Sequence, residues 1–191
     1  MRLLLTGASG YLGWHLARHA GTAGHGVVGC HLNHATGMPD GNTSVRADFR
    51  DAADCRRLLK ALRPDAIIHA GAMTNTSACE ADPVAATATN VHGTANLLAA
   101  AGALDPLPHF VLVSTDLVFD GVRGMCREED PPAPLMHYGR TKLEAERIVA
   151  RHAGRWTIVR SALIYGPAGT GSRRCFLDWM LEGMRAGTTT L

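Results

Sequence analysis

Leu3-Leu4-Leu5-Thr6-Gly7-Ala8-Ser9-Gly10-Tyr11-Leu12-Gly13 decides how this chain folds. A short apolar run, read as a buried strand, meets glycines at every third position and then a helical stretch, Tyr11 to Ala20. Glycine at 7 allows a tight turn, glycine at 10 lets a pyrophosphate approach the backbone, and glycine at 13 lets helix and strand pack closely. The helix N-terminus offers free N–H groups and a partial positive charge to phosphate. The spacing is Gly-x-x-Gly-x-x-Gly rather than Gly-x-Gly-x-x-Gly. Glycines alone say little, but a plain strand-to-helix turn seldom needs three of them in this context, so the turn is read as a nucleotide cradle.

Outward from the turn, short apolar runs alternate with helical stretches. Val27 to Cys30, a weak run Ser44 to Ala47, Ala66 to Ala70, Phe110 to Val113 and Trp156 to Val159 read as further strands. Ala52 to Leu62 reads as a helix stopped by Pro64, Pro83 to Ala101 as one long Ala-rich helix, and Tyr138 to Ala150 as another. Apolar strands buried on both sides and separated by helices imply an α/β fold, a doubly wound parallel sheet of Rossmann type with helices on both faces. Pro131-Pro132-Ala133-Pro134 is a loop and not a domain boundary. After Gly166 the pattern changes. Pro167 to Arg174 is loop-like, Phe176 to Met184 is one amphipathic helix, and no seventh strand can be built from the remainder. Residues 1–166 are therefore expected to form an NAD(P)-binding domain.

Composition narrows the class. The chain has 191 residues, 46% of them hydrophobic and 19% charged, enough apolar material for a core and too much for a disordered chain. Lys and Arg number 19 against 17 Asp and Glu, a net charge of +2, and no basic stripe stands out, so nucleic acid is not an expected partner. No apolar run approaches the ~18–20 residues that span a bilayer. The five cysteines are scattered, odd in number and without a Cys-x-x-Cys pair, which argues against a disulfide framework and fits a reducing cytoplasm.

Two further stretches carry chemistry. An acid about 20 residues past the glycines would hold the ribose 2′-hydroxyl of NAD. This chain has Cys30-His31-Leu32-Asn33-His34 there, with no acid, which favours NADP; His31 and His34 are either hydrogen-bonding partners of a 2′-phosphate or solvated loop residues. Tyr138 and Lys142 are four apart, on one helix face. An ammonium beside a phenol is expected to lower its pKa and make Tyr138 an acid for a substrate carbonyl; the plainer alternative is a surface helix pair. Ser114 and Thr115 end a strand where open α/β sheets place their ligand crevice, unless they merely cap a turn. His15 and His19 are four apart without a third ligand, so no metal site is expected. Cys79 and Glu80 read as residues beginning a helix, with no role in a site.

Taken together, Thr6-Gly7-x-x-Gly10-x-x-Gly13, Asn90 in Asn90-Val91-His92-Gly93-Thr94, and Tyr138-x-x-x-Lys142 resemble the extended short-chain dehydrogenase/reductase family. Ser114-Thr115-Asp116-Leu117-Val118-Phe119-Asp120-Gly121 resembles the signature of its dTDP-4-dehydrorhamnose reductase branch, to which the regulatory β subunit of methionine adenosyltransferase is related. The resemblance implies that Gly7, Gly10 and Gly13, with the backbone of Tyr11 and Leu12, hold a pyrophosphate; that Asp48 and Phe49 lie beside adenine; and that Ala70, Gly71 and Ala72 line the cofactor ribose. It implies that Thr115 hydrogen-bonds the substrate carbonyl, Tyr138 donates the proton, Lys142 binds the nicotinamide ribose, and Asn90 is architectural. The implied activity is reduction of a nucleotide-linked 4-keto sugar by NADPH (or NADH). The alternatives are an NADP-binding regulatory subunit with little catalysis and a sugar-nucleotide epimerase. Leu117 replaces the tyrosine of the signature and also the glutamate that dehydratases carry after Asp, which argues against dehydration. Members of the family are longer, which implies that residues 167–191 are the start of a truncated substrate-binding region, in a chain that is either a fragment or naturally short. The Ala-rich helix and the Tyr138 helix either form a homodimer face, as the resemblance implies, or only pack against the sheet.

Overall fold

The computed structural model describes residues 1–32, 38–39, 41–167 and 175–188. Six parallel strands, β1 (Arg2–Thr6), β2 (Gly26–His31), β3 (Thr43–Arg46), β4 (Ala66–His69), β5 (His109–Thr115) and β6 (Trp156–Ser161), form one sheet in the order β3-β2-β1-β4-β5-β6. The chain starts in the middle, winds outward to β3, then returns past β1 to β4. The two directions part between β1 and β4, and a crevice opens at the carboxyl ends of these strands, where this topology places ligands.

The apolar runs are buried on both faces, as a continuous strand pattern requires. Leu4, Ile67, Phe110 and Leu112 point into one cluster, with α2 (Ala52–Leu62), α5 (Gly93–Gly102) and α6 (His137–Val149) packed over it. Leu3, Leu5, Val27 and Ile68 point to the opposite face, against Leu16, Ala17 and Ala20 of α1 (Tyr11–Thr22). On that face β6 is open, and Val159 is exposed.

Local chemistry sets the helix ends. The Asp51 carboxylate accepts from Ala53 N at the start of α2, and Arg63 ends that helix in the left-handed region at φ 43°. The Ala-rich segment is helical without a break from Pro83 to Gly102, as its composition predicts, with a π turn inside it. Asn75 caps a separate short helix, α3 (Thr76–Ala81), which contains Cys79 and Glu80 near its end and not at its beginning. Asp82 and Pro83 then start α4 (Pro83–Thr87), and a π turn (Ala88–His92) joins α4 to α5. The π turn carries Asn90 inward, where its side chain bonds both the amide and the carbonyl of Met73, at 2.8 and 3.1 Å. The strongly amphipathic segment Phe176–Arg185 is α7, and none of its residues is buried.

Candidate active site

The crevice is a cleft of about 820 Å³, floored by the ends of β1, β2, β4 and β5. Every described residue to which the sequence assigns a part in cofactor binding or catalysis lies along it, whereas Asn90, expected to be architectural, does not. The turn contributes Gly7, Gly10, Tyr11, Leu12 and Gly13; the end of β2 contributes His31; the segment after β3 contributes Asp48 and Phe49; the segment after β4 contributes Ala70, Gly71 and Ala72. Thr115, Tyr138 and Lys142 form the far wall. His34 lies outside the described residues, as does the stretch expected to be loop-like, from residue 168 to Arg174.

The turn is backbone laid on backbone. Gly7 has φ +68°, and a Cβ there would stand 2.7 Å from the amide nitrogen of Gly71. A Cβ at Gly13 would stand 2.2 Å from Gly7 O, so only glycine lets α1 descend onto the strand end. Gly10 is the N-cap of α1, without a side-chain cap, and leaves the first amides of the helix turned to the cleft. A cradle of bare amides at a helix N-terminus suits the diphosphate of a dinucleotide.

At the β2 end of the cleft, His31 Nδ1 shares a 2.7 Å hydrogen bond with Ser44 Oγ, and Arg46 Nε donates to Leu32 O. No carboxylate lies among the cleft-lining residues of β2. Asp48 is paired with Arg50 at 2.7 Å, and that guanidinium holds its carboxyl below the usual range. Neither Arg46 nor Arg50 stands out in the sequence: Arg46 falls in the weak strand run Ser44 to Ala47, and Arg50 opens the charges that read as a solvated helix face.

At the other end, α6 is pressed against the turn Asp116–Val118 that follows β5. A Cβ at Gly139 would lie 2.2 Å from Leu117 O, so the glycine between Tyr138 and Arg140 is what permits this approach. Thr115 Oγ1 donates to Asp116 Oδ1 at 3.1 Å and accepts from Leu117 N at 3.2 Å, so it caps this turn while facing the cleft. Ser114, the other hydroxyl here, donates to Glu146. Glu146 also holds Arg160 of β6 at 2.7 Å. This buried carboxylate sits one helical turn beyond Lys142.

Tyr138 does not behave as the Tyr–Lys spacing alone suggests. Burial pushes its phenol up to about 12, with Cys79 and Asp116 adding to the shift. Desolvation dominates, and the ammonium four residues away does not offset it. Lys142 is only 2% exposed, and burial pulls it down to about 8 against the opposing pull of Glu146. The pair therefore holds a firmly protonated phenol beside a lysine whose charge is retained at pH 7.

The sequence also left unmarked His69, Thr74, Thr89 and the stretch Ser161–Ile164, all of which line the cleft. The signal for His69 was faint: one polar residue at the end of an otherwise apolar strand. Among the described residues no group of three His, Cys, Asp or Glu side chains could hold a metal ion, and no helix is long and apolar enough to cross a membrane.

Comparison with known proteins places this geometry. Residues 1–189 match the family model described as the RmlD substrate binding domain. The chain is 35% identical over 191 residues to the "Probable low-salt glycan biosynthesis reductase Agl14" of Haloferax volcanii, covering 99% of this chain and 62% of that protein. It is 31% identical over 165 residues to "Methionine adenosyltransferase 2 subunit beta" of Danio rerio, covering 86% of this chain and 48% of that one. The crystal structure of dTDP-4-dehydrorhamnose reductase from Bacillus anthracis in complex with NADP superposes with a TM-score of 0.77 at 25% identity, over 97% of this chain and 60% of that one. The chain thus spans about half to three-fifths of the length of these relatives. The chain, with its Rossmann-type sheet, belongs to the family of the RmlD substrate binding domain.

Proposed function

We propose that this chain is the cofactor-binding and proton-donating part of an oxidoreductase of the extended short-chain dehydrogenase/reductase type, which uses NADP to reduce the ketone of a nucleotide-linked 4-keto sugar. The reading rests above all on one observation: Tyr138 and the buried Lys142 share a single cleft with the glycine turn. The bare backbone at Gly7 and Gly13 fits a diphosphate, and the solved reductase relative carries NADP.

Gly7, Gly10 and Gly13, with the amides of Tyr11 and Leu12, would hold the diphosphate. Asp48 and Phe49 would flank the adenine, and His31 the 2′-phosphate. Ala70, Gly71 and Ala72 would line the ribose, and Lys142 would bind the nicotinamide ribose. The cofactor, when bound, supplies the hydride. Thr115 would hydrogen-bond the substrate carbonyl. Tyr138 would give its hydroxyl proton to the oxygen of that carbonyl as negative charge develops there. With its pKa near 12 the phenol still carries that proton at neutral pH, and the Lys142 ammonium stabilises the phenolate left behind.

The test is NADPH oxidation with a 4-keto sugar nucleotide by wild type and Tyr138→Phe. The variant should lose about 10²–10⁴-fold in rate, the usual contribution of a positioned proton donor, and keep its NADPH affinity. Equal rates would remove Tyr138 from the mechanism. The likeness to the methionine adenosyltransferase subunit favours a second reading, an NADP-binding regulatory subunit. Tight NADPH binding with no turnover of any 4-keto sugar nucleotide would favour that reading. A homodimer through α4, α5 and α6 belongs to the first proposal, and sedimentation velocity showing only monomer would remove it.

A further inference from the structure

Five buried polar side chains link the glycine end of the cleft to the Tyr138 helix by hydrogen bonds, the chain passing through Asn90 from its backbone carbonyl to its side-chain amide. Gly71 N donates to Thr6 Oγ1 at 2.9 Å, and Thr6 Oγ1 lies 2.7 Å from His69 Nδ1. His69 Nε2 lies 3.0 Å from Thr94 Oγ1, which donates to Asn90 O at 2.7 Å. The Asn90 amide donates to Thr141 Oγ1 at 3.0 Å, and Thr141 donates to Tyr138 O at 2.7 Å. Thr6, His69, Asn90, Thr94 and Thr141 are all buried.

The direction of each bond follows from counting protons. Thr94 has one hydroxyl proton, and it goes to Asn90 O, so Thr94 can only accept from His69. His69 Nε2 therefore carries hydrogen. Nδ1 then has a lone pair, which accepts the Thr6 hydroxyl, and Thr6 in turn accepts from Gly71 N. One tautomer satisfies every donor and acceptor, and the imidazolium satisfies fewer: a second ring proton, on Nδ1, would take the remaining lone pair of Thr6 Oγ1 and leave the Thr6 hydroxyl proton without its acceptor. Burial, with Lys142 nearby, accordingly pulls His69 down to about 3.

We propose that His69 is a positioning residue of this site, a neutral Nε2–H imidazole that ties the Gly71 end of the cofactor cleft to the Tyr138–Lys142 helix. The proposal rests on the cofactor reading above and deepens it. His69 fixes the distance between two walls that are far apart in sequence. The Gly71 amide is held by Thr6 at one end of the chain, and the first turn of α6 is held by Thr141 at the other. The π turn has its purpose here: it brings both the carbonyl and the side chain of Asn90 into the chain.

The test has two parts. Long-range ¹H–¹⁵N spectra of histidine-labelled protein at pH 7 should show His69 with a protonated Nε2 and an unprotonated Nδ1. A protonated Nδ1, or an imidazolium, overturns the proposal. His69→Phe keeps the ring packing on Phe49 and Phe110 but removes both bonds. It should weaken NADPH binding about tenfold and speed amide exchange over Tyr138–Lys142 to a similar degree. Thr94→Val cuts the same chain with little change of volume and should act in the same direction, so the outcome does not depend on His69→Phe folding. A merely structural histidine would lower thermal stability and leave cofactor affinity and α6 exchange unchanged; that result in both variants overturns the proposal. If wild type binds no NADPH, the cofactor reading fails separately, while the tautomer and the exchange data still decide the role of His69.

Discussion

Lys142 is a charge kept against its own desolvation. Its pKa falls from 10.5 to about 8 on folding, so below pH 8 both states are protonated and the native state carries the whole desolvation cost. Between pH 8 and 10.5 the native state releases its proton first. The unfolded state then binds more protons, and the contribution of Lys142 to stability rises with pH. Lys142→Met removes the buried charge and leaves Glu146 paired with Arg160. This variant should be more stable than wild type at pH 7 by on the order of 1–3 kcal/mol, with the advantage shrinking by pH 9.5. Urea denaturation at the two pH values checks this, and a variant less stable than wild type at pH 7 refutes it. The window stops short of pH 10, above which Tyr138, raised on folding, has the opposite slope. The positions of Tyr138 and Lys142 were legible in the sequence because residues four apart share a helix face. Their proton affinities were not, because those depend on burial, which spacing does not report.

Among the elements, α6 shows how one glycine can decide a docking distance. In most helices Gly→Ala stabilises by up to ~1 kcal/mol. Gly102→Ala, at the end of α5, should do so by a few tenths to ~1 kcal/mol, since its Cβ would meet only His152 Cε1, at 3.8 Å. Gly139→Ala should do the reverse. Its Cβ would stand 2.2 Å from Leu117 O, backbone that cannot swing aside, and the net loss should be about 1–3 kcal/mol. Thermal unfolding of the two variants should shift in opposite directions; a stabilised Gly139→Ala would show that α6 is not held by this contact. Strands were legible because Leu3 to Leu5 and Ala66 to Ile68 are apolar on both faces. Helix α3 was not, because its six residues are too few to show an apolar period and its start is marked only by Asn75. The π turn was invisible for a similar reason: its wide turn is held by Asn90 bonding to Met73, a contact between residues 17 apart.

Across the whole molecule, the two faces of the sheet are unequally covered, and stability should follow that asymmetry. The face under α2, α5 and α6 holds the larger cluster, with Phe110 wholly buried at its centre. The other face has α1, and beyond the cleft Tyr165, Phe176 and Trp179 are exposed. A parallel sheet and its winding could be read from the alternation of elements, but this imbalance could not: the apolar pattern of Phe176 to Met184 predicts a helix with a face to bury and does not say against what. In the structure Trp179 is 63% exposed, whereas Phe110 is 0%. Sequence hydrophobicity ranks both as core residues, and burial separates them. Phe110→Ala removes a packed ring from beneath α5 and α6 and should cost about 3–5 kcal/mol. Trp179→Ala should change stability by no more than about 0.5 kcal/mol, as for other surface positions. Urea denaturation with a common m-value measures both. A Trp179→Ala loss comparable to that of Phe110→Ala would mean that α7 is part of the cooperative core, and that its apolar face is packed in solution against some part of the sheet.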